Sequence, residues 1–192
     1  MVIAADTETG TAGAAGRGVI SHVVFRSEIE AQVNFQVGDQ VVHWTYGPGE
    51  VIQLDEKALS GRTEQYYVVQ VNDMTLFVPI NDQGQTSLRL PTPAEEFEHL
   101  FAVLKSPEEP LSGDRWERKT QLIAQMKDGR LESICKVIRD LNAFQHTKKL
   151  NDNDVAILER AQNFLLNEWH ISLGIPRSEA EVQLHKLLEQ VS

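Results

Sequence analysis

The chain has 192 residues, 41% of them hydrophobic and 24% charged, and a formal net charge of −10. That size and composition suit one or two globular domains, and the acidic balance excludes tight non-specific binding to nucleic acid, which rests on neutralising phosphates. One cysteine, Cys135, excludes an internal disulfide, and no apolar run approaches the ~20 residues of a membrane span.

Residues 1–33 are small and polar, with Gly10, Gly13 and Gly16 among alanines and threonines, and the composition predicts a disordered tail. It does not resemble a basic segment followed by an apolar secretory core. Val19 to Phe25 has some strand character. From Phe35 the pattern changes. Val37, Val41 and Val42 lie around Gly38-Asp39, and Gly47-Pro48-Gly49 is expected to break the chain before a strand at Glu50–Leu54. Ser60-Gly61 marks a second turn. Gln65–Val71 and Met74–Ile80 flank Asn72-Asp73, a hairpin signal. A short fifth strand is expected at Ser87–Leu90. Five short strands with tight turns predict a strongly bent sheet or half-open barrel.

Helical periodicity follows. Thr92-Pro93-Ala94-Glu95 has the form of a helix start, with Thr92 as N-cap, and Phe97, Leu100, Phe101 and Leu104 form one face. Pro107 and Pro110 are the expected boundary between a β domain, 34–110, and a helical domain, 111–192. Further helices are expected over Asp114–Lys127, over Leu131–His146, and after Asn151. The second of these turns Ile134, Val137, Ile138, Leu141 and Phe144 inward, and Lys136 and Arg139 outward. The third carries Val155, Leu158, Leu165 and Trp169. Ser178-Glu179-Ala180-Glu181 reads as a capping box opening a last helix with Val182, Leu184, Leu187 and Leu188. Cys135 falls within an apolar helical pattern, where a small buried hydrophobe in a reducing cytoplasm is expected. The fold class is α+β.

Charge divides the chain. Residues 34–110 hold 4 Lys/Arg against 12 Asp/Glu, a net of −8, whereas residues 111–150 hold 9 against 5, a net of +4. Trp116 opens that basic stretch beside Arg115, Arg118 and Lys119. A planar ring among cations suits nucleic acid, because cations meet phosphates while the ring stacks on or wedges between bases. The competing reading is a core tryptophan anchoring its helix within a solvated charged surface.

Other chemistries find little support. The six histidines form no H-x₃-H or HExxH pair and have no cysteine pair beside them, so neither a zinc site nor any other metal or cofactor is expected. Cys135 has no neighbouring histidine to activate it. Gly47-Pro48-Gly49 is too short for a phosphate loop and leads into a strand. Trp44, Tyr46, Tyr66 and Tyr67 could build an aromatic cage for a cation, or simply alternate between core and surface on strands. No enzyme constellation is present.

From Phe35 to Ser192 the chain resembles CarD-type transcription regulators. Phe35-Gln36-Val37-Gly38-Asp39-Gln40-Val41-Val42-His43, Tyr46-Gly47-Pro48-Gly49-Glu50-Val51 and Val78-Pro79 are similar to the polymerase-interacting domain these proteins share with the transcription-repair coupling factor. Trp116-x-Arg118-Lys119, Val137-Ile138-Arg139-Asp140-Leu141 and Lys148-Lys149-Leu150 resemble the family's helical part. The resemblance implies a Tudor-like β domain docked on the β subunit of bacterial RNA polymerase, with Lys57, Leu59 and Phe77 at the contact. It implies a helical domain that reaches promoter DNA at the upstream edge of the melted bubble. There Trp116 would wedge into the minor groove, with Arg115, Arg118, Lys119, Arg139, Lys148 and Lys149 as DNA-binding cations. Phe77 stands where some relatives carry a basic residue, and Lys57 where relatives can carry arginine. The basic run ends at Thr120-Gln121, and Asp152 and Asp154 make the turn before the fourth helix acidic, which implies weaker DNA affinity.

The expected function is thus a non-enzymatic modulator of transcription initiation, monomeric, cytoplasmic and associated with the nucleoid through polymerase. The alternative is a Tudor-like protein-interaction adaptor with no direct DNA role. Without helicase motifs, the chain is not the coupling factor itself.

Overall fold

The computed structural model describes residues 34–59, 62–80 and 87–189. The segment 1–33, including the strand character at Val19–Phe25, and the turn at Ser60-Gly61 lie outside the described residues.

Five strands, β1 (Gln40–His43), β2 (Gly47–Leu59), β3 (Arg62–Val71), β4 (Met74–Ile80) and β5 (Leu88–Arg89), form one antiparallel sheet in the order β4-β3-β2-β1-β5. Side chains alternate across a strand, so Tyr67, Val69 and Val71 on β3 bury the same face. Phe35, Val41, Val51, Val78 and Leu88 close over them as one apolar cluster. The register slips by one residue between Val51 and Gln53. That bulge bends β2 and supplies the curvature expected of the sheet.

The Gly47-Pro48-Gly49 segment is a correction to the expected chain break: all three residues lie inside β2 and pair with β1, and the turn precedes them. Gly49 is required there because a Cβ would come within 2.5 Å of the Gln70 carbonyl oxygen. Tyr66 and Tyr67 occupy opposite faces of β3, with Tyr67 buried and its hydroxyl accepting from the Phe35 N–H at 3.2 Å, so the four candidate aromatics do not converge on one cage.

His43 ends β1, and its ring lies near Trp44 and Tyr46 of the β1–β2 turn. The Thr45 N–H donates to its Nδ1 at 3.0 Å. Burial favours the neutral ring and lowers the His43 pKa below its usual 6.5. A histidine with a depressed folded pKa contributes full stability above the unfolded value, and that contribution is lost as pH falls through the folded value. The melting temperature should therefore fall between about pH 7 and pH 5 more steeply for the native chain than for His43→Gln. Parallel slopes in thermal melts would show that His43 does not carry the effect.

Five helices follow: α1 (Phe97–Lys105), α2 (Arg115–Lys127), α3 (Leu131–Thr147), α4 (Asp152–Leu173) and α5 (Arg177–Glu189). Local chemistry sets two of the starts. The Asp114 carboxylate accepts from the Trp116 and Glu117 N–H groups at the head of α2, and Asn151 with Asp154 forms a capping box on α4. Three helical expectations change. Thr92 does not cap α1, which is preceded by a 3₁₀ turn at Ala94–Glu96; its hydroxyl is bonded to Glu168 instead. The last helix begins at Arg177, one residue before the proposed capping box. Val155 and Val182, assigned to apolar faces, are exposed.

Trp169 lies at the centre of the helical core, fully buried, with its ring 4.5 Å from Phe101 and 6.1 Å from Phe97. Phe97, Leu100, Val103 and Leu104 of α1 belong to this core together with residues of α2 to α5. Pro107 and Pro110 therefore do not separate two cores: α1 packs with the helices, and the change from sheet to helical packing falls near residue 90. Val42 of β1 also reaches the helical core, so the two layers meet directly. Cys135 is buried within it, and burial, with Glu168 and Glu132 adding, raises its thiol pKa far above the usual range.

Candidate nucleic-acid interface

Trp116 occupies the first turn of α2, and 78% of its surface is exposed. The Asp114 cap fixes the backbone beneath it, with bonds of 2.9 Å and 2.8 Å to the Trp116 and Glu117 N–H groups. The Ser112 hydroxyl, bonded to Glu117 at 2.7 Å, ties down the preceding turn. A large apolar ring is thus held outward on a rigid helix start. Lys119, one turn on, places its ammonium 5.9 Å from the ring centroid, and Arg115 is exposed beside it. This exposure is incompatible with the core-anchor reading of Trp116; the core tryptophan is Trp169.

Two of the expected DNA-binding cations are elsewhere engaged. Arg118 is 3% exposed, and its Nε and Nη2 bond both oxygens of the fully buried Asp154, with a shortest distance of 2.8 Å. Its Nη1 donates to the Ser112 carbonyl at 2.6 Å, and its guanidinium carbon lies 4.7 Å from the centroid of the Phe144 ring. Arg139 is 6% exposed, with Nε donating to Asp140 at 2.7 Å and Nη1 to the Ser106 hydroxyl at 2.8 Å. Neither guanidinium is presented to a phosphate. The reason is the same in both: a nearby carboxylate in a low-dielectric setting outcompetes water for the fork of donors.

The remaining cations are at the surface. Lys148 and Lys149 follow α3 and are exposed. Lys148 places Nζ 5.7 Å from the Phe144 ring that also meets Arg118. Phe144 thereby joins the C-terminal end of α3 to the N-terminal end of α2. The structure brings Lys148 toward the Trp116 end of α2 and leaves Arg139 within the helical packing.

At the other end of the chain, Phe77 lies on the edge strand β4 and is 48% exposed; Met74 on the same strand is 47% exposed. The backbone of β2 pairs Lys57 with Glu64 and Leu59 with Arg62. Phe77 is opposite Val68, itself opposite Gln53, so Phe77 and Lys57 are separated by β3 and by roughly 13 Å along β2.

Among the described residues no three of His, Cys, Asp and Glu are grouped as a metal site, and no helix is long and apolar enough to cross a membrane. A curved sheet whose edge strand exposes Met74 and Phe77 is joined to a helical layer with a projecting tryptophan. Residues 35–89 match the family described as the CarD-like/TRCF RID domain, and residues 99–185 match the CarD C-terminal domain. The chain belongs to the CarD-like family. It is also similar to the Bacillus subtilis (strain 168) protein named "Putative transcription factor YdeB", with 26% identity over 151 residues, covering 76% of this chain and 96% of that relative.

The residue that sequence reasoning missed is Glu168. It is fully buried, in the segment Phe164-Leu165-Leu166-Asn167-Glu168-Trp169, where Phe164, Leu165, Leu166 and Trp169 are buried too. A carboxylate four residues after Phe164, on the inward face of α4, was the available signal: a buried charge must be paired.

Proposed function

We propose that this protein is a non-enzymatic modulator of transcription initiation that docks on the RNA polymerase β subunit and prolongs the life of the promoter open complex. The sheet, residues 34–90, supplies the polymerase contact through Lys57, Leu59 and Phe77. The helical layer supplies the DNA contact at the upstream edge of the bubble. Trp116 wedges into a base step there, while Arg115, Lys119, Lys148 and Lys149 meet the flanking phosphates. The protein works as a monomer in the cytoplasm, held at the nucleoid through polymerase.

The observation that carries this reading is Trp116 itself: 78% exposed, rigidly capped, and bordered by cations. A soluble protein gains nothing in its own stability from such a ring, whereas an apolar wedge with phosphate-binding neighbours suits opened duplex. The chain's net charge of −10 makes polymerase the delivering partner, because free protein and DNA repel each other outside the local basic patch.

Open-complex half-life, measured with and without the full chain, tests the reading. Phe77→Glu should weaken binding to polymerase at least about tenfold, since a charge replaces an apolar anchor at the interface, and the half-life effect should fall with it. Retained polymerase binding in Phe77→Glu would remove Phe77 from the contact. Binding to polymerase with no change in half-life would favour a protein-interaction adaptor without a DNA role.

A further inference from the structure

Glu168 on α4 is fully buried, and its carboxylate accepts four hydrogen bonds from the sheet side. Arg89 of β5 donates from Nη1 and Nη2 at 2.7 Å each, one to each carboxylate oxygen. Thr92 adds its N–H at 2.8 Å and its hydroxyl at 2.6 Å, both to Oε1. The same guanidinium donates from Nε to the Gly129 carbonyl at 2.8 Å, in the turn between α2 and α3. One arginine at the end of the sheet is therefore bonded both to α4 and to the connection that leads back to α2.

The contacts around it follow one stripe of α4. Arg160, Phe164 and Glu168 are spaced four residues apart and so share a face. Arg160 donates to the Thr45 carbonyl at 3.2 Å, and a Cβ on Gly47 would lie 3.9 Å from the Phe164 ring. Gly129 adopts φ +72°, and a Cβ there would come within 3.2 Å of the Trp44 Cβ. The β1–β2 turn and β5 thus rest on a narrow strip, and the Arg89–Glu168 fork is its only bidentate charged contact among the described residues.

A buried ion pair adds little net stability over apolar residues of similar volume. What it adds is direction: a planar fork meeting a carboxylate through two parallel bonds tolerates little rotation. We propose that Arg89, Glu168 and Thr92 form a positioning latch that holds the polymerase-binding sheet at one orientation to the helical layer, and so sets where Trp116 reaches. The second part rests on the function proposed above. The latch acts through Trp116 and touches neither polymerase nor DNA, so its loss uncouples two binding events that each remain intact.

The test uses the full chain with Cys135→Ala and spin labels on Thr75→Cys, exposed on β4, and Gln121→Cys, exposed on α2. The distance distribution between the labels should be a single narrow peak. Glu168→Gln should broaden it and reduce the open-complex effect about tenfold through misplacement of the wedge, with polymerase affinity kept within about twofold because the sites are distant. Should Glu168→Gln fail to fold, Arg89→Met with Glu168→Met removes the pair without leaving a buried charge and is measured instead.

A merely structural role would lower polymerase affinity and half-life together, and that result overturns the proposal. A peak that stays narrow in the variant overturns it as well, as does a broadened peak with an unaltered half-life. If the parent chain itself leaves the half-life unchanged, the functional reading fails, and the label distances still decide whether this cluster holds the two layers.

Discussion

Trp116→Ala should shorten the open-complex half-life conferred by the protein roughly five- to a hundredfold, the equivalent of losing about 1–3 kcal/mol of ring–base stacking. The melting temperature should barely move. With 78% of the residue exposed, truncation opens no cavity, and surface changes of this kind stay within about 0.5 kcal/mol. The Asp114 cap bonds backbone N–H groups rather than the indole, so the start of α2 survives the change. Trp116→Phe should keep part of the effect, because a smaller apolar wedge still enters a base step. Both quantities can be read on one preparation, by thermal unfolding and by challenge of preformed open complexes. An undiminished half-life for Trp116→Ala would end the wedge assignment, and a sharp fall in melting temperature would mean that the ring is structural after all.

Arg118→Ala should do the opposite. Asp154 is fully buried and Arg118 bonds both of its carboxylate oxygens, so deleting the guanidinium leaves a buried carboxylate without its cation, at a cost of about 3–5 kcal/mol. The Ser112 carbonyl also loses its donor, and Phe144 loses one of its two cations. Denaturant unfolding should show a lower midpoint and little change in slope. Arg118→Met with Asp154→Leu, which removes the pair as a unit, should recover much of the loss. The earlier assignment of Arg118 to DNA makes a different forecast, namely unchanged stability and a smaller salt dependence of DNA binding. An unfolding midpoint equal to that of the native chain would restore that assignment.

The two arginines show where reading the sequence reaches its limit. Arg115, Arg118 and Lys119 are indistinguishable by composition, all within one turn of Trp116. Arg118 alone meets Asp154, 36 residues away, whereas Arg115 faces solvent. Arg139 was expected outward with Lys136, on the face opposite the apolar residues of its helix, yet Asp140 and Ser106 give it a buried polar niche. The Thr92 hydroxyl could accept from N–H groups at the nearby helix start or donate to a carboxylate 76 residues on, and it donates to the distant carboxylate.

By itself the sequence determined what depends on near neighbours. Runs of β-branched and aromatic residues on either side of Asn72-Asp73 specified the β3–β4 hairpin, because such side chains suit a pleated strand and Asn-Asp suits a tight turn. Asp114 and Asn151 specified helix starts, because a side-chain oxygen satisfies N–H groups two and three residues on. Trp116 was legible as a candidate wedge from the cations beside it. Only the tertiary structure decided whether that ring was core or surface, which cations remained at the surface, and how sheet and helices are joined. Those outcomes turn on counter-charges drawn from far along the chain, Asp154 for Arg118 and Glu168 for Arg89. A charge is buried only where folding supplies a partner with the right geometry, and no local pattern records which partner that will be.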